Sequence, residues 1–214
     1  MAAPEHKDIS PDTTSAHEHV AQPETGQELE RKFVTPPVPF PDEQLAALFD
    51  YDDMKQAYTL IDDQTGQEQR VRIKVNRSGS VKFEATAKGD GTDTRDERNW
   101  KISTEEFKEG SADGARVGNV VEKRRYKIKY EYPVEEDGQI VMEAVVIEYS
   151  RYHGALEGLS DAEVEFTSPD QMSQFIAPPW FGPEVTDDPR YKNKNLARYG
   201  IPEDYPYREE QEVA

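Results

Sequence analysis

Apolar and polar residues alternate with a period of two through the middle of the chain. The alternation runs through five segments, QELERKFV, RVRIKV, VKFEATAK, VEKRRYKIKY and AEVEF. Successive side chains of a β-strand point to opposite faces of its sheet, so each segment predicts a strand with one apolar and one charged face. Segments rich in Gly, Asp and Asn, such as NRSGS, KGDGTD and EEDGQ, predict the turns between strands. The pattern therefore predicts a meandering antiparallel sheet or a barrel.

Helix signals are few and confined to short segments. The segment PDEQLAALF, at 41–49, begins with Pro and has acidic residues in its first turn, and both features favour a helix start. Ser168 and Asp188 are each followed by Pro and are predicted N-caps, while Gly200 is predicted to end the last helix. Such short helices can pack on a barrel or close its ends, but they cannot form a bundle.

The two ends of the chain differ in composition from its middle. Residues 1–26 offer almost nothing apolar to bury, which predicts a disordered acidic tail whose HEH segment is solvated rather than metal-bound. Residues 203–214 are again acidic and are predicted to form a C-terminal tail. A single folded domain is expected between them, at 27–202.

Charge and composition exclude several classes of protein. The 214 residues carry a formal net charge of -18 and include no cysteine, which excludes disulfides and thiolate metal sites. An acidic surface would repel duplex nucleic acid and anionic membranes, and no apolar stretch reaches the length of a membrane-spanning helix. The N-terminus MAAPEHKDIS lacks the features of a signal peptide. We therefore expect a cytoplasmic protein that is a monomer or a homodimer.

One strand concentrates positive charge in this acidic chain. VEKRRYKIKY, at 121–130, contains five Lys and Arg residues, whereas QELERK and AEVEF each place Glu at positions i and i+2. Each strand by itself fits a half-buried strand whose polar face meets water. If the sheet closes, these faces would line a tunnel in which cations and carboxylates partly neutralise one another.

A tunnel of this kind suits a chain of phosphates together with a divalent cation. Convergent Lys and Arg side chains neutralise phosphates, but carboxylates on the same wall would repel them unless a cation lay between. Mg2+ and Mn2+ take carboxylate and phosphate oxygens together. The residues interpreted as ligands of such an ion are Glu28, Glu30, Glu163 and Glu165. The basic strand would then serve an internal anionic ligand.

These residues resemble the CYTH family, the triphosphate tunnel metalloenzymes, and in particular its short bacterial members. The family signature ExExK matches Glu28, Glu30 and Lys32, and the segments VEKRRY, AEVEF and APPWFGPEVTDDPRYKNKNLA follow in the family's order. The resemblance extends from Glu28 to Pro202. It implies that 27–202 is a triphosphate tunnel domain, an eight-stranded antiparallel β-barrel with a few short helices packed at its outside and ends.

The resemblance also implies roles for individual residues. The carboxylates expected to face a Mg2+ or Mn2+ ion are Glu28, Glu30, Glu163 and Glu165. The cations expected to face the phosphates are Lys32, Arg72, Lys74, Lys88, Arg95, Lys123 and Arg125. The expected catalytic residues are Glu28, Glu30 and Lys123, of which Lys123 either donates a proton to the leaving group or acts by its charge alone. Lys127 and Lys129 share the parity of Lys123 but fit a solvated rim equally well.

Two segments depart from the family pattern. RDERNWKI offers Glu97 and then Lys101 where the family has Glu at alternating positions. EYSRYHG has Ser150 where the family has an acidic residue, and Glu148 could replace it only through an insertion or a bulge. These departures bear on the metal site and the substrate rather than on the fold.

Resemblance to the short bacterial members implies a hydrolase that cleaves inorganic triphosphate. The alternatives are a class IV type adenylate cyclase, a thiamine triphosphatase, and a non-catalytic module that binds polyphosphate or a nucleotide. The expected ligand is accordingly inorganic triphosphate or a nucleoside or thiamine triphosphate. Metal-dependent phosphate release would separate an enzyme from a module that binds without turnover.

Overall fold

The structure is a computed structural model that describes residues 29–89, 97–136 and 138–208. Within these ranges the chain forms eight β-strands, which are β1 (Glu30–Val34), β2 (Asp50–Ile61), β3 (Glu68–Asn76), β4 (Val81–Lys88), β5 (Glu97–Lys101), β6 (Val121–Glu136), β7 (Gln139–His153) and β8 (Ser160–Glu165). The α-helices are α1 (Asp42–Leu48), α2 (Thr104–Gly114), α3 (Pro169–Gln174) and α4 (Asn193–Tyr199), with 3-10 helices at Gly154–Leu156 and Pro189–Tyr191. No helix in the described ranges is long and apolar enough to cross a membrane.

The strands form one antiparallel sheet, in the order β1-β8-β7-β6-β2-β3-β4-β5. The predicted architecture of eight antiparallel strands with a few short helices is therefore confirmed. Lys32 on β1 and Lys88 on β4 line the same cavity although their strands lie far apart in this order, so the sheet curls on itself. Among the described residues, β1 and β5 form no ladder with each other.

The segment 182–185 covers the edge of β1 that does not pair with β8. Val34 donates its N–H to the Pro183 carbonyl at 3.0 Å, and Val185 donates its N–H to the Lys32 carbonyl at 2.7 Å. Backbone polar groups at a sheet edge need partners, and this segment supplies them where a closed barrel would use another strand. The expected barrel is thus a curled sheet whose first strand is covered by a later segment.

The apolar face of the strands that opposes the charged residues packs against the chain that follows β8. Phe33, Ile147 and Val164 are almost fully buried and form a cluster with Phe175, which follows α3. The Phe181 ring packs on this cluster, with its centroid 4.7 Å from that of Phe33. This core fixes which face of β1 and β8 points into the curl of the sheet.

The hydrophobic pattern did not reveal α2, although its first turn carries a clear signal. Ser103 Oγ accepts the Glu106 N–H at 3.2 Å, and the Glu106 carboxylate accepts the Ser103 N–H at 2.7 Å. This reciprocal capping box is readable as the motif SxxE. A Cβ atom at Gly110 would lie 2.8 Å from a methyl group of Val71, so the glycine lets α2 lie close against β3.

Two of the three predicted helices are confirmed, and the third is divided. The segments 41–49 and 168–176 contain α1 and α3, and Ser168 Oγ accepts the Gln171 N–H at 3.1 Å. The last predicted helix is a 3-10 helix followed by α4, because Lys192 between them has extended backbone angles, φ -71° and ψ 134°. Gly200 ends α4 with a φ of 75°, as predicted.

The packed part of the chain extends past the expected boundary at 202. Tyr205 is only 3% exposed, its hydroxyl accepts the Ser160 N–H at 3.2 Å, and it donates to the Thr35 carbonyl at 3.3 Å. The C-terminal tail therefore begins later than 203, because this aromatic ring completes a core cluster. The expected N-terminal tail at 1–26 lies outside the described residues.

Replacing Tyr205 tests this extension of the core. Tyr205→Ala is expected to lower the free energy of unfolding by about 3 kcal/mol, since truncating a buried aromatic ring leaves a cavity. Tyr199 is 70% exposed and gives the matched control, because Tyr199→Ala should change stability by less than about 0.5 kcal/mol. Chemical denaturation measures both values. Equal stability of the two variants would exclude Tyr205 from the core.

Candidate functional site

A cavity of about 400 Å³ lies inside the curl of the sheet, and residues of six strands line it. Among the described residues, its cationic lining residues are Lys32, Arg70, Arg72, Lys88, Lys123, Arg125, Lys192 and Lys194. Its acidic lining residues are Glu30, Glu68, Glu163, Glu165 and Asp188. Eight cations against five carboxylates give this lining a formal charge of +3 in a chain of net charge -18. The cavity is therefore a sheltered site for an anion.

Glu163 on β8 is the acceptor shared by three of these cations. Lys32 donates from Nζ to its carboxylate at 3.0 Å, the Lys123 ammonium lies 3.9 Å away, and the Arg125 guanidinium contacts it directly. Burial would raise the pKa of Glu163, but the three cations hold that pKa well below its ordinary value. Glu163 is thus an anion that keeps three cations in place.

Asp161 extends the same network one step along β8. It is fully buried, its carboxylate lies 2.8 Å from the Lys32 ammonium, and it accepts the Tyr152 hydroxyl at 2.7 Å. Burial lowers the pKa of Lys32, but Asp161 and Glu163 outweigh burial and raise that pKa well above its ordinary value. Sequence reasoning missed Asp161, although it has the parity of Glu163 and could have been found by extending the alternation.

The Arg125 guanidinium joins β8 to β7. It contacts Glu148 on β7 as well as Glu163 on β8. The register of β6 with β7 is continuous through this region, so Glu148 reaches Arg125 without the insertion or bulge that the sequence had suggested. Ser150 is buried and lies opposite Asp161. An acidic residue displaced by two positions from the family pattern therefore contacts Arg125, which lines the cavity.

The pKa of Lys123 is shifted in the opposite direction from that of Lys32. Lys123 is 5% exposed, and burial lowers its pKa to about 8, with Glu163 opposing this shift and Arg125 adding to it. Its ammonium also donates to the Tyr152 hydroxyl at 3.4 Å. Near neutral pH this ammonium is charged but incompletely neutralised, and an added anion would complete its neutralisation.

Three arginines of the cavity retain buried donors without an acceptor. The Nε–H groups of Arg70, Arg72 and Arg125 have no hydrogen-bond partner among the described residues. Their guanidinium groups are otherwise engaged, as Arg72 donates to Glu84 at 3.0 Å. These Nε–H groups are themselves buried, so a ligand in the cavity would meet other atoms of the three side chains that line it.

Comparison with known proteins agrees with this geometry, although no family model matches the chain. The chain is 36% identical over 170 residues to the inorganic triphosphatase of Nitrosomonas europaea, covering 79% of this chain and 96% of that protein. It is 30% identical over 174 residues to the inorganic triphosphatase of Acetivibrio thermocellus, covering 81% and 94%. The chain belongs to the CYTH family. The crystal structure of the inorganic triphosphatase NE1496 shares its fold, with a TM-score of 0.55 and 31% identity over 80% of this chain and 94% of that chain.

Most of the residues expected from the CYTH pattern meet in one cavity. Those that line it are Glu30, Lys32, Arg72, Lys88, Lys123, Arg125, Glu163 and Glu165. Glu28 and Arg95 lie outside the described residues. Lys74 instead lines a second cavity, where its ammonium lies 3.8 Å from the Asp52 carboxylate. Lys74 lies on the same face of β3 as Arg72, but two residues farther along the strand, a distance of about 7 Å.

The chain after β8 completes the wall of the CYTH tunnel. Lys192 and Lys194 line the cavity, and the Lys194 ammonium lies 3.3 Å from the Glu68 carboxylate. Thr186 Oγ accepts the Lys32 N–H at 3.0 Å and so attaches this segment to β1. No local pattern marks these residues, since they lie outside the alternating strands. Arg70, by contrast, shares the parity of Arg72 and was recognisable from the sequence.

The carboxylates at one end of the cavity fit a divalent cation bound together with phosphate. Glu30 and Glu165 are direct partners across β1 and β8, and both are exposed in the cavity. Within the described ranges, no three Asp, Glu, His or Cys side chains form a metal-binding group. Mg2+ needs only one or two carboxylates when substrate phosphates supply further oxygens, so the pair suffices. Glu163, two residues from Glu165 on the same face of β8, is the carboxylate whose pKa Lys32, Lys123 and Arg125 hold well below its ordinary value.

The pKa of Lys123 predicts a pH dependence of ligand binding. Affinity for inorganic triphosphate, measured by calorimetry in chelator, should fall as pH rises from 7 to 9.5, because Lys123 loses its charge above about 8. The loss of affinity that is due to Lys123 approaches tenfold per pH unit, which corresponds to about 1.4 kcal/mol of binding free energy. Lys123→Arg keeps the charge without titrating there and should remove this component. The ratio of the two affinities cancels the titration of the ligand, and a ratio independent of pH would contradict the prediction.

Proposed function

We propose that this protein hydrolyses inorganic triphosphate with the help of bound Mg2+ or Mn2+. The observation that carries the proposal is the cavity inside the curl of the sheet, whose described lining has an excess of cations, Arg70, Arg72 and Arg125 among them. A linear chain of phosphates neutralises several such cations at once. The two relatives named inorganic triphosphatase support the same reaction. A cytoplasmic location and a monomeric or homodimeric state stay predictions.

The cations of the cavity differ in their roles in this proposal. Arg70, Arg72 and Arg125 bind phosphate oxygens directly, because all three line the cavity and a guanidinium group can donate two parallel hydrogen bonds to a phosphate. Lys32 positions Glu163, since both carboxylates near its ammonium belong to β8. Phosphate transfer needs mainly positioning and charge neutralisation, and a wall of preorganised cations supplies both.

Lys123 takes the role nearest to the reacting phosphorus. Its low pKa means that a phosphate chain beside it would raise the pKa and draw a proton onto the amine. A charged Lys123 stabilises the negative charge that develops on the leaving phosphate oxygen, and it can return the proton there. The Tyr152 hydroxyl, 3.4 Å from the ammonium, keeps the group in place.

Glu30 and Glu165 would hold the divalent cation, with Glu28 as a further candidate from its position in the ExExK signature. Bound there, the ion would neutralise phosphate oxygens and lower the pKa of a coordinated water. The carboxylates would otherwise repel the substrate. The ion therefore explains why acidic residues share a wall with phosphate-binding cations.

Phosphate release from inorganic triphosphate, ATP and thiamine triphosphate tests the proposal directly. Each substrate is supplied with Mg2+, with Mn2+ or with chelator. We expect fast cleavage of inorganic triphosphate that is lost in chelator. Formation of cyclic AMP from ATP without cleavage of inorganic triphosphate would overturn the proposal in favour of a cyclase, and tight binding without turnover would favour a binding module.

Glu165→Gln tests the assignment of the cation ligands. The change should reduce metal-dependent turnover by roughly 100-fold or more, because it removes a charged ligand, and it should not destabilise the fold because Glu165 is exposed. Glu131→Gln, at an exposed position of β6, is the matched control and should retain full activity. Thermal unfolding confirms that both variants are folded. Full activity of Glu165→Gln would show that this carboxylate does not bind the ion.

A further inference from the structure

A second cavity, of about 310 Å³, follows the first along the curled sheet. On each of three strands, one residue lines the first cavity and the next residue on the same face, two positions along the strand, lines the second. These pairs are Met54 and Asp52 on β2, Arg72 and Lys74 on β3, and Arg125 and Lys127 on β6. Two residues along a strand span about 7 Å, so the two cavities are successive compartments of one passage.

A buried ion cluster marks the boundary between the compartments. Asp52 is 4% exposed, and its carboxylate lies 2.9 Å from the Lys127 ammonium and 3.8 Å from the Lys74 ammonium. A buried carboxylate requires such partners. Two cations share this one carboxylate, so the cluster retains an excess of positive charge that faces the second cavity.

The rest of the lining increases this excess of positive charge. Arg77 and Lys82 also face the cavity, whereas its other carboxylate, Asp50, has a side chain that is 80% exposed and lies 3.9 Å from Arg77. Lys74 and Lys82 are direct partners across β3 and β4. Like charges placed opposite each other destabilise a sheet, so an anion between them would relieve a repulsion built into the register.

We propose that the second cavity binds inorganic phosphate released by the reaction, an inference that rests on the proposed function. In that reaction water adds to a terminal phosphorus, and the bond from that phosphorus to the bridging oxygen breaks. Pyrophosphate and inorganic phosphate form, and one proton passes to solvent. The compact phosphate ion then has a cationic site next to the compartment where it is made. Because this site differs from the substrate site, phosphate bound there inhibits turnover without displacing triphosphate.

Lys82 is the residue to change, because it is exposed and lies outside the Asp52 cluster. Inorganic phosphate is titrated into the chain of 214 residues without metal, by calorimetry and phosphorus NMR. Two phosphates per chain are expected for the unaltered protein, one in each cavity. Lys82→Glu should weaken the second site about tenfold, since it reverses one charge at close range, and Lys82→Arg should preserve it.

Lys129→Glu is the matched control, because Lys129 is an exposed residue of β6 two positions beyond Lys127 and does not line the cavity. It should leave both phosphate sites within about twofold of the unaltered protein. Equal weakening by Lys82→Glu and Lys129→Glu would mean a general charge effect and would overturn the proposal. A single phosphate per chain in the unaltered protein would also overturn it.

Inhibition kinetics give a second, independent readout. Phosphate should inhibit hydrolysis of inorganic triphosphate in a mixed pattern, and Lys82→Glu should leave only the competitive component with KM unchanged within about twofold. Two bound phosphates in a chain without turnover would sink the hydrolase proposal and leave the second site standing. Turnover with purely competitive inhibition in every variant would sink the second site and leave the hydrolase standing.

Discussion

The half-buried carboxylate of Glu163 allows cations that repel one another to share the interior of the sheet. Lys32 reaches it from β1, and Lys123 and Arg125 reach it from β6. Taking an ion out of water costs several kcal/mol, so each of these cations needs a fixed partner before any ligand arrives. Glu163 supplies that partner from the strand beside β1. The arrangement holds positive charge in position for a phosphate chain, and it does so without reorganisation at the moment of binding.

The carboxylates of the site serve different purposes according to their depth. Asp161 and Glu163 are tied to cations inside the sheet and set the positions of those cations. Glu30 and Glu165, exposed in the cavity, are directly opposed, and in the proposed reaction they would share a divalent cation with the substrate. Burial lowers the pKa of Lys123, and Glu163 opposes this shift. The response of Lys123 to an added anion is therefore larger than that of a lysine with a full set of partners.

The chain that follows β8 links closure of the fold to completion of the site. Val185 bonds to the free edge of β1, and Lys194 then reaches Glu68 at the start of β3. A closed ladder between the first and last strands of the sheet would leave no room for this segment. Because the segment replaces that ladder, residues with no strand pattern of their own contribute cations to the tunnel wall. Because the sheet curls, the basic face of β6 lines the first cavity at Arg125 and the second cavity at Lys127.

The sequence by itself determined five of the eight strands, their antiparallel arrangement and the face on which each of their charged residues lies, whereas no segment was predicted for β2, β5 or β7. Parity is local, since adjacent side chains of a strand must point to opposite faces, and Arg125 beside the buried Tyr126 shows it. The tertiary structure alone decided which charges meet. Lys74 has the parity expected of a tunnel residue, yet it neutralises Asp52 in the second compartment. Glu148 meets Arg125 only through the register of β6 with β7. Register and the return of the chain depend on contacts between distant segments, which no local pattern encodes.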